Sequence, residues 1–241
     1  MVWAIFLVAI VIGGAYIVAL TFSNCNYFIK YKKSDKKKNK TSFDYSLEQD
    51  SLFLTSPYIA GLEGEHRVNA HLKTLLKEDE YLLEHLLLPI NNGHKTEVDS
   101  VLITRKGIFC IEIKNWSGHI YGNDDDETWL QKTRDPDKPH IEHNNPVRQN
   151  DWHCFILEKL LSDKYELYCA VIFSHLEKKN SIFSYYTYTI KDFIDFYGNL
   201  EEELSVVEIK SIYDKLSPYV ATAIELDEHK EYVINALLNK I

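Results

Sequence analysis

Cysteine is scarce and scattered in this chain of 241 residues. Only Cys25, Cys110, Cys154 and Cys169 occur, and no two form a C-x-x-C pair. That argues against a zinc site, which needs closely spaced thiolate or imidazole ligands. The low count fits a reducing compartment. Cys110 and Cys169 lie in apolar runs, where cysteine acts as a small hydrophobe. A P-loop, a dinucleotide-binding fingerprint, a Ser-His-Asp motif and an internal repeat are also missing.

Charge is absent from residues 1–22, and the first charged side chain after the N-terminus is Lys30. An apolar run of this length predicts a membrane-spanning helix over residues 1–24, at 1.5 Å per residue across about 20 residues. Lys30, Lys32, Lys33, Lys36, Lys37, Lys38 and Lys40 follow, against the single acid Asp35. Positive charge beside the C-terminal end of the span places that end in the cytoplasm. A cleaved signal peptide fits less well, because no Lys or Arg precedes the run. Residues 25–50 read as a Lys-rich juxtamembrane linker, and residues 30–40 as a segment for anionic lipid headgroups. The expected location is the cell membrane, as a single-pass protein with its C-terminal domain in the cytoplasm.

Bases are in short supply beyond that linker. Residues 1–40 hold seven of the 27 basic side chains and one of the 36 acidic ones. The remaining 201 residues therefore carry 20 basic and 35 acidic groups, a formal charge of −15. Such a body does not attract nucleic acid by its overall field, so any contact needs a local cation.

What the body does contain is a run of strands and helices. Leu62, Val68, Leu72, Leu75 and Leu76 predict a helix from Gly61, with Glu63 and Glu65 in or near its first turn. Pro57 and Tyr58 read as an extended lead-in. Tyr81 to Ile90 reads as a strand, closed by Pro89 and Asn91-Asn92-Gly93. Gly118 and Gly122 bracket a short strand. The acidic cluster Asp124 to Glu127 lacks calcium-loop spacing and reads as a solvated turn before a strand at Trp129. Residues 136–145 read as a loop. Asn145 is the expected N-cap of a helix with Pro146 in its first position and a stripe of Trp152, Phe155, Ile156, Leu160 and Leu161. Leu167 to Phe173 is an apolar strand ending at Ser174-His175. The aromatic run Phe183 to Tyr188 reads as another strand, and helices are expected over 189–198, 205–216 and 225–240.

The most informative stretch is Val98 to Asn115. Two apolar strands, Val98 to Thr104 and Ile108 to Lys114, flank the turn Arg105-Lys106-Gly107, where glycine is free to take positive φ. Along the second strand Ile111 and Ile113 face one way and Glu112 and Lys114 the other, about 7 Å apart. Asp99 lies on the neighbouring strand, with Glu97 as the second choice two residues earlier. Two carboxylates and a lysine converging at strand ends suit a hard divalent cation and a polarised water. Read alone, Glu65 is a solvated helix carboxylate, Gln149 a surface amide and His175 a loop histidine.

Together these motifs resemble the nuclease-related domain, the NERD domain. The resemblance rests on G-L-E-G-E at 61–65, E-V-D-S-V-L-I at 97–103, K-G-I-F-C-I-E-I-K-N-W-S-G at 106–118 and N-P-V-R-Q at 145–149. It covers residues 61–175 and leaves 176–241 as a mainly helical C-terminal extension. That domain is grouped with the PD-(D/E)xK phosphodiesterase fold. The resemblance therefore implies an α/β, restriction-endonuclease-like core with a central mixed sheet flanked by helices. It implies a metal-dependent nuclease acting in DNA processing. By position it makes Glu65, Asp99, Glu112, Lys114 and Gln149 the catalytic set. Asp99, Glu112 and the carbonyl of Ile113 would hold Mg2+, with Mn2+ as a substitute, and nucleic acid, DNA first, would be the partner. A proline often precedes the aspartate in the wider fold; here Val98 does. The alternatives are a non-catalytic nucleic-acid-binding or signalling module that keeps the fold, and a structural domain whose Glu112–Lys114 pair is a surface ion pair worth tenths of a kcal/mol.

Overall fold

The computed structural model describes residues 7–12, 15–20, 56–90, 93–132, 139–176 and 181–238. The Lys-rich linker at 25–50, Asn91-Asn92 and residues 136–138 of the expected loop lie outside the described residues.

At the N-terminus the structure departs from the expected helix. Strands β1 (Leu7–Ile12) and β2 (Ala15–Leu20) pair antiparallel, with Ile12 opposite Ala15. The composition of the paired segments fits this choice. Both are rich in Val, Ile and other β-favouring residues, which pack well on a pleated surface. Among the described residues no helix is long and apolar enough to cross a membrane.

The body is mixed α/β. Helix α1 (Ser56–Lys73) begins five residues earlier than expected, with Pro57 one residue inside its start rather than in an extended lead-in. Glu63 and Glu65 consequently lie beyond its first turn. Val68 and Leu72 are buried, whereas Leu62 is 38% exposed and Leu75 and Leu76 follow the helix end, half-buried. Strands β3 (Tyr81–Pro89), β4 (Lys95–Thr104) and β5 (Gly107–Lys114) form an antiparallel meander. Gly107 takes φ +135° at the β4–β5 turn, as its place in the sequence requires. Strand β9 (Leu167–Phe173) then pairs parallel to β5, and β11 (Thr187–Thr189) parallel to β9. The sheet order is β11-β9-β5-β4-β3.

A smaller sheet hangs from the end of β5. Strands β6 (His119–Asn123), β7 (Thr128–Lys132) and β8 (Ile141–Asn144) form a meander, with β10 (Ile182–Phe183) on its other edge. β8 was expected as loop; its four residues are mostly exposed and lack the apolar alternation that marks a strand. The acidic cluster is the β6–β7 turn, held by Asp126 Oδ2 accepting from Asn123 N–H at 2.9 Å.

Helix α2 (Pro146–Leu160) packs on one face of the large sheet. Asn145 caps it, accepting from Val147 N–H at 2.9 Å. The Asn145 amide also donates to the carbonyl of Asp126 at 2.7 Å, tying the small sheet to the helix start. The buried face of α2 is Val147, Asn150, His153, Cys154, Ile156 and Leu157; Trp152, Phe155 and Leu160 flank it half-buried rather than forming its centre. Helices α3 (Ile190–Gly198) and α4 (Val206–Leu216) follow, then α5 (Ala223–Leu238), close to the expected spans. Phe193 and Phe196 of α3 join α1 on one face, and Ile209, Ile212 and Leu216 of α4 join α2 on the other. The segment after residue 176 thus supplies part of both hydrophobic layers and one strand of the large sheet.

Candidate active site

Along β5, Phe109, Ile111 and Ile113 face the α1 layer, while Ile108 and Cys110 face the α2 layer. Glu112 and Lys114 continue the α2 side. Their side chains meet, with Lys114 Nζ 2.9 Å from Glu112 Oε1, and the lysine retains only 11% exposure and the glutamate 2%. That burial removes the surface-ion-pair reading. His153 of α2 brings Nδ1 to 3.4 Å from Glu112 Oε2, and its Nε2 lies 3.2 Å from Thr96 Oγ1.

Strand β4 breaks its own alternation to place Asp99. Thr96 and Val98 face the α2 layer, yet Ser100 and Leu102 face α1, where Ser100 Oγ donates to Asn69 Oδ1 at 2.8 Å. A regular strand would keep all four on one face. The switch falls at Asp99. There the β4–β5 ladder also ends, its last pair being Ser100 with Ile111. In place of a backbone partner, Ile113 N–H donates to Asp99 Oδ2 at 2.7 Å. The N–H and C=O of one strand residue point toward the same neighbour, so the Ile113 carbonyl faces this gap as well.

The neighbouring strand switches at the same level. Glu84 faces α1 and accepts from Asn69 Nδ2 at 2.9 Å, while Leu86 and Leu88 face the α2–α4 layer. Between them His85 takes φ +53°, in the left-handed region that L-residues seldom adopt. Its pairing with Asp99 is missing from the ladder, and its carbonyl instead accepts from Ala221 N–H at 2.9 Å. The His85 ring lies between two acids, with Nδ1 3.1 Å from Glu97 Oε1 and Nε2 3.7 Å from Glu65 Oε2. Glu65 thus reaches the site from α1. Gly64 makes this possible: a Cβ there would fall 2.6 Å from Asn115 Cβ and 3.0 Å from Ser174 Oγ. Gly64→Ala should shift α1, cost about 1–3 kcal/mol in a urea melt and lower any activity that uses Glu65.

Electrostatics separates the acids. Burial pushes the Asp99 carboxyl well above its ordinary range; Glu112 and Glu65 add repulsion that Lys114 and the Ile113 N–H only partly offset. Burial also acts against Glu112, but the Lys114 ammonium and the His153 ring outweigh it and hold that carboxyl below its usual value. Glu65 is raised, chiefly by burial. His85 is raised by its bond to Glu97, with Glu65 adding to the effect. Glu112 Oε2 and Glu65 Oε2 are buried without a hydrogen-bond partner. Each of these oxygens faces a histidine ring nitrogen at a longer distance, His153 Nδ1 at 3.4 Å and His85 Nε2 at 3.7 Å. No group of three or more His, Cys, Asp or Glu side chains among the described residues is placed to hold a metal. Magnesium keeps several waters and needs only one or two protein carboxylates, fewer than such a group.

Gln149 lies one helical turn before His153 on α2, half-buried. His175 follows the end of β9, and its Nδ1 lies 2.7 Å from Arg67 Nη1, apart from the acids. The sequence reading passed over His85 and His153. Each is a polar residue inside an apolar run, which is the signal that marks both.

The family model of the nuclease-related domain (NERD) matches residues 60–174. That match covers 115 of the 241 residues, just under half of the chain. The chain is also similar to an uncharacterized protein of Bacillus anthracis, 29% identical over 108 residues, which are 45% of this chain and 50% of the relative. It thus spans about half the length of that curated relative. No solved structure matches.

Proposed function

We propose that the chain is a Mg2+-dependent nuclease that hydrolyses phosphodiester bonds in nucleic acid, DNA first, on a restriction-endonuclease-like core. The observation that carries this reading is the buried Glu112–Lys114 contact beside the gap that Asp99 enters. Asp99, Glu112 and the Ile113 carbonyl would hold the Mg2+, with Mn2+ able to replace it. When bound, the ion supplies Lewis-acid polarisation of the phosphate and lowers the pKa of water. Lys114 presents its ammonium to the scissile phosphate and offsets charge that grows in the transition state. His153 and Lys114 keep Glu112 ionised. Glu65 orients water from the α1 side, and Gln149 binds phosphate or steadies Lys114.

The test is a cleavage screen of the full chain with Mg2+ or Mn2+ on single- and double-stranded DNA and RNA. The expected result is metal-dependent cleavage that Asp99→Ala abolishes and Lys114→Ala lowers by about 10²–10³-fold. Binding without cleavage for every ion and substrate would instead support a non-catalytic module.

The uncharged run of residues 1–22 and the lysines after it support attachment to the cell membrane with the body in the cytoplasm. Lys in place of both Ile10 and Val18 should move the chain from the membrane pellet to the soluble fraction. An unchanged distribution would remove this part of the proposal.

A further inference from the structure

Lys114 carries the one buried ammonium of the site described above, and a lysine stem is flexible. Something must hold the ammonium at Glu112 when phosphate competes for it. Trp116 is in place to contribute. Lys114 Nζ lies 5.7 Å from the Trp116 ring centroid, within the range of a cation–π contact. The indole is fixed in turn. His143 stacks on it with centroids 4.0 Å apart and planes 18° apart, and Phe173 lies 5.7 Å away at a tilt.

The stack continues into the small sheet. His143 Nε2 lies 2.8 Å from Gln131 Oε1, and the Gln131 amide donates to the Ser117 carbonyl at 2.8 Å, one residue beyond Trp116. His143 is paired with the buried Trp129 across the β7–β8 ladder. β6, β7 and β8 contribute none of Asp99, Glu112, Lys114, Glu65 or Gln149. Their meander nevertheless returns to β5 at this point and fixes one ring.

We propose that Trp116, backed by His143 and Gln131, is a positioning residue that holds the Lys114 ammonium beside Glu112. The inference rests on the reading of Lys114 as a catalytic group. In this role the small sheet is a prop for the active site, and Trp116 acts on turnover through Lys114 rather than by touching substrate. An aromatic ring of another size in that place keeps the contact; a methyl group does not.

The experiment compares wild type, Trp116→Phe, Trp116→Ala and His143→Ala as full chains, each checked by circular dichroism. Two quantities are read: steady-state cleavage with Mg2+, and the rate of Lys114 acetylation by acetic anhydride, followed by mass spectrometry without metal or substrate. Trp116→Ala is expected to lower kcat on the order of 10- to 100-fold with little change in KM. It is also expected to speed acetylation of Lys114 relative to the other lysines. Trp116→Phe should restore most of both, and His143→Ala should fall between. If Trp116→Ala leaves both kcat and Lys114 labelling at wild-type values, the inference is overturned. A fall in KM-controlled binding with unchanged Lys114 labelling also overturns it, since that describes a substrate contact. If the wild type cleaves nothing, the nuclease reading fails, and Lys114 labelling still decides whether Trp116 holds the ammonium. Should Trp116→Ala not fold, His143→Ala and Trp116→Phe carry the same labelling comparison.

Discussion

Asp99→Asn should abolish cleavage and, in the absence of metal, raise the melting temperature. The aspartate is half-buried, and desolvation together with repulsion from Glu112 and Glu65 pushes its carboxyl well above the ordinary value of 3.8. An acid with a raised native pKa holds its proton more tightly in the folded chain than in the unfolded one. Its contribution to stability is complete below the unfolded value and is lost as pH rises through the raised native value. Asparagine keeps the acceptor for Ile113 N–H and has no proton to lose. The stability gap between variant and wild type should therefore widen from acid to neutral pH. Each kcal/mol gained corresponds to roughly 2–4 °C in a body of this size. Divalent cation should narrow the gap, because the wild type alone can bind it with a full charge. Cleavage should be lost, a fall beyond about 10²–10³-fold, because a charge proposed to hold the ion is removed from the reacting centre. Calorimetry with and without Mg2+, beside a cleavage assay, checks both halves. A wild type more stable than Asp99→Asn at neutral pH without metal would contradict the strained-acid account.

Lys114→Ala should damage both activity and stability. Glu112 is 2% exposed and leans on the Lys114 ammonium at 2.9 Å. Removing one member of a buried ion pair costs about 3–5 kcal/mol, because the other charge is left without compensation. Cleavage should fall by about 10²–10³-fold, the range for losing one preorganised electrostatic contact to a transition state. The stability loss should mostly return in the double variant Glu112→Gln with Lys114→Met, which buries no charge, while cleavage stays absent. Urea melts of the two single variants and the double measure the coupling. An exposed pair would show only tenths of a kcal/mol. The Glu112 contribution has the opposite pH sign from that of Asp99. Its native pKa is lowered, so the stability it adds is present at neutral pH and lost as pH falls through that lowered value.

The β4–β5 hairpin could be read from the sequence because its signals are local. Strand alternation puts Glu112 and Lys114 on one face, and Gly107 marks the turn. Asn145 and Pro146 likewise announce α2 through the chemistry of the helix start. Glu65 could not be placed that way. Its position depends on Gly64 against Asn115 and Ser174, a contact between elements about 50 and 110 residues apart along the chain, for which only the missing side chain of a glycine hints. The face switch at Asp99 and His85 was equally hidden, since apolar residues occur on both sides of it and both faces of the sheet are covered. β8 gave no apolar alternation, being an exposed edge strand. At the N-terminus an uncharged apolar run satisfies both a helix and a pair of strands, and the Val and Ile content of 7–12 and 15–20 is the local feature that leans to strands.

The most direct test of the catalytic reading is the single-turnover cleavage rate of the full chain on end-labelled nucleic acid, titrated with Mg2+, for wild type and Glu112→Gln. Glu112→Gln keeps the shape of the side chain and removes the charge that Lys114 and His153 stabilise. The expected result is saturable, Mg2+-dependent cleavage by wild type, and a rate for Glu112→Gln lower by at least two orders of magnitude, in the range of about 10²–10³. Cleavage that proceeds equally in both proteins, or that persists in wild type after chelation, would contradict it.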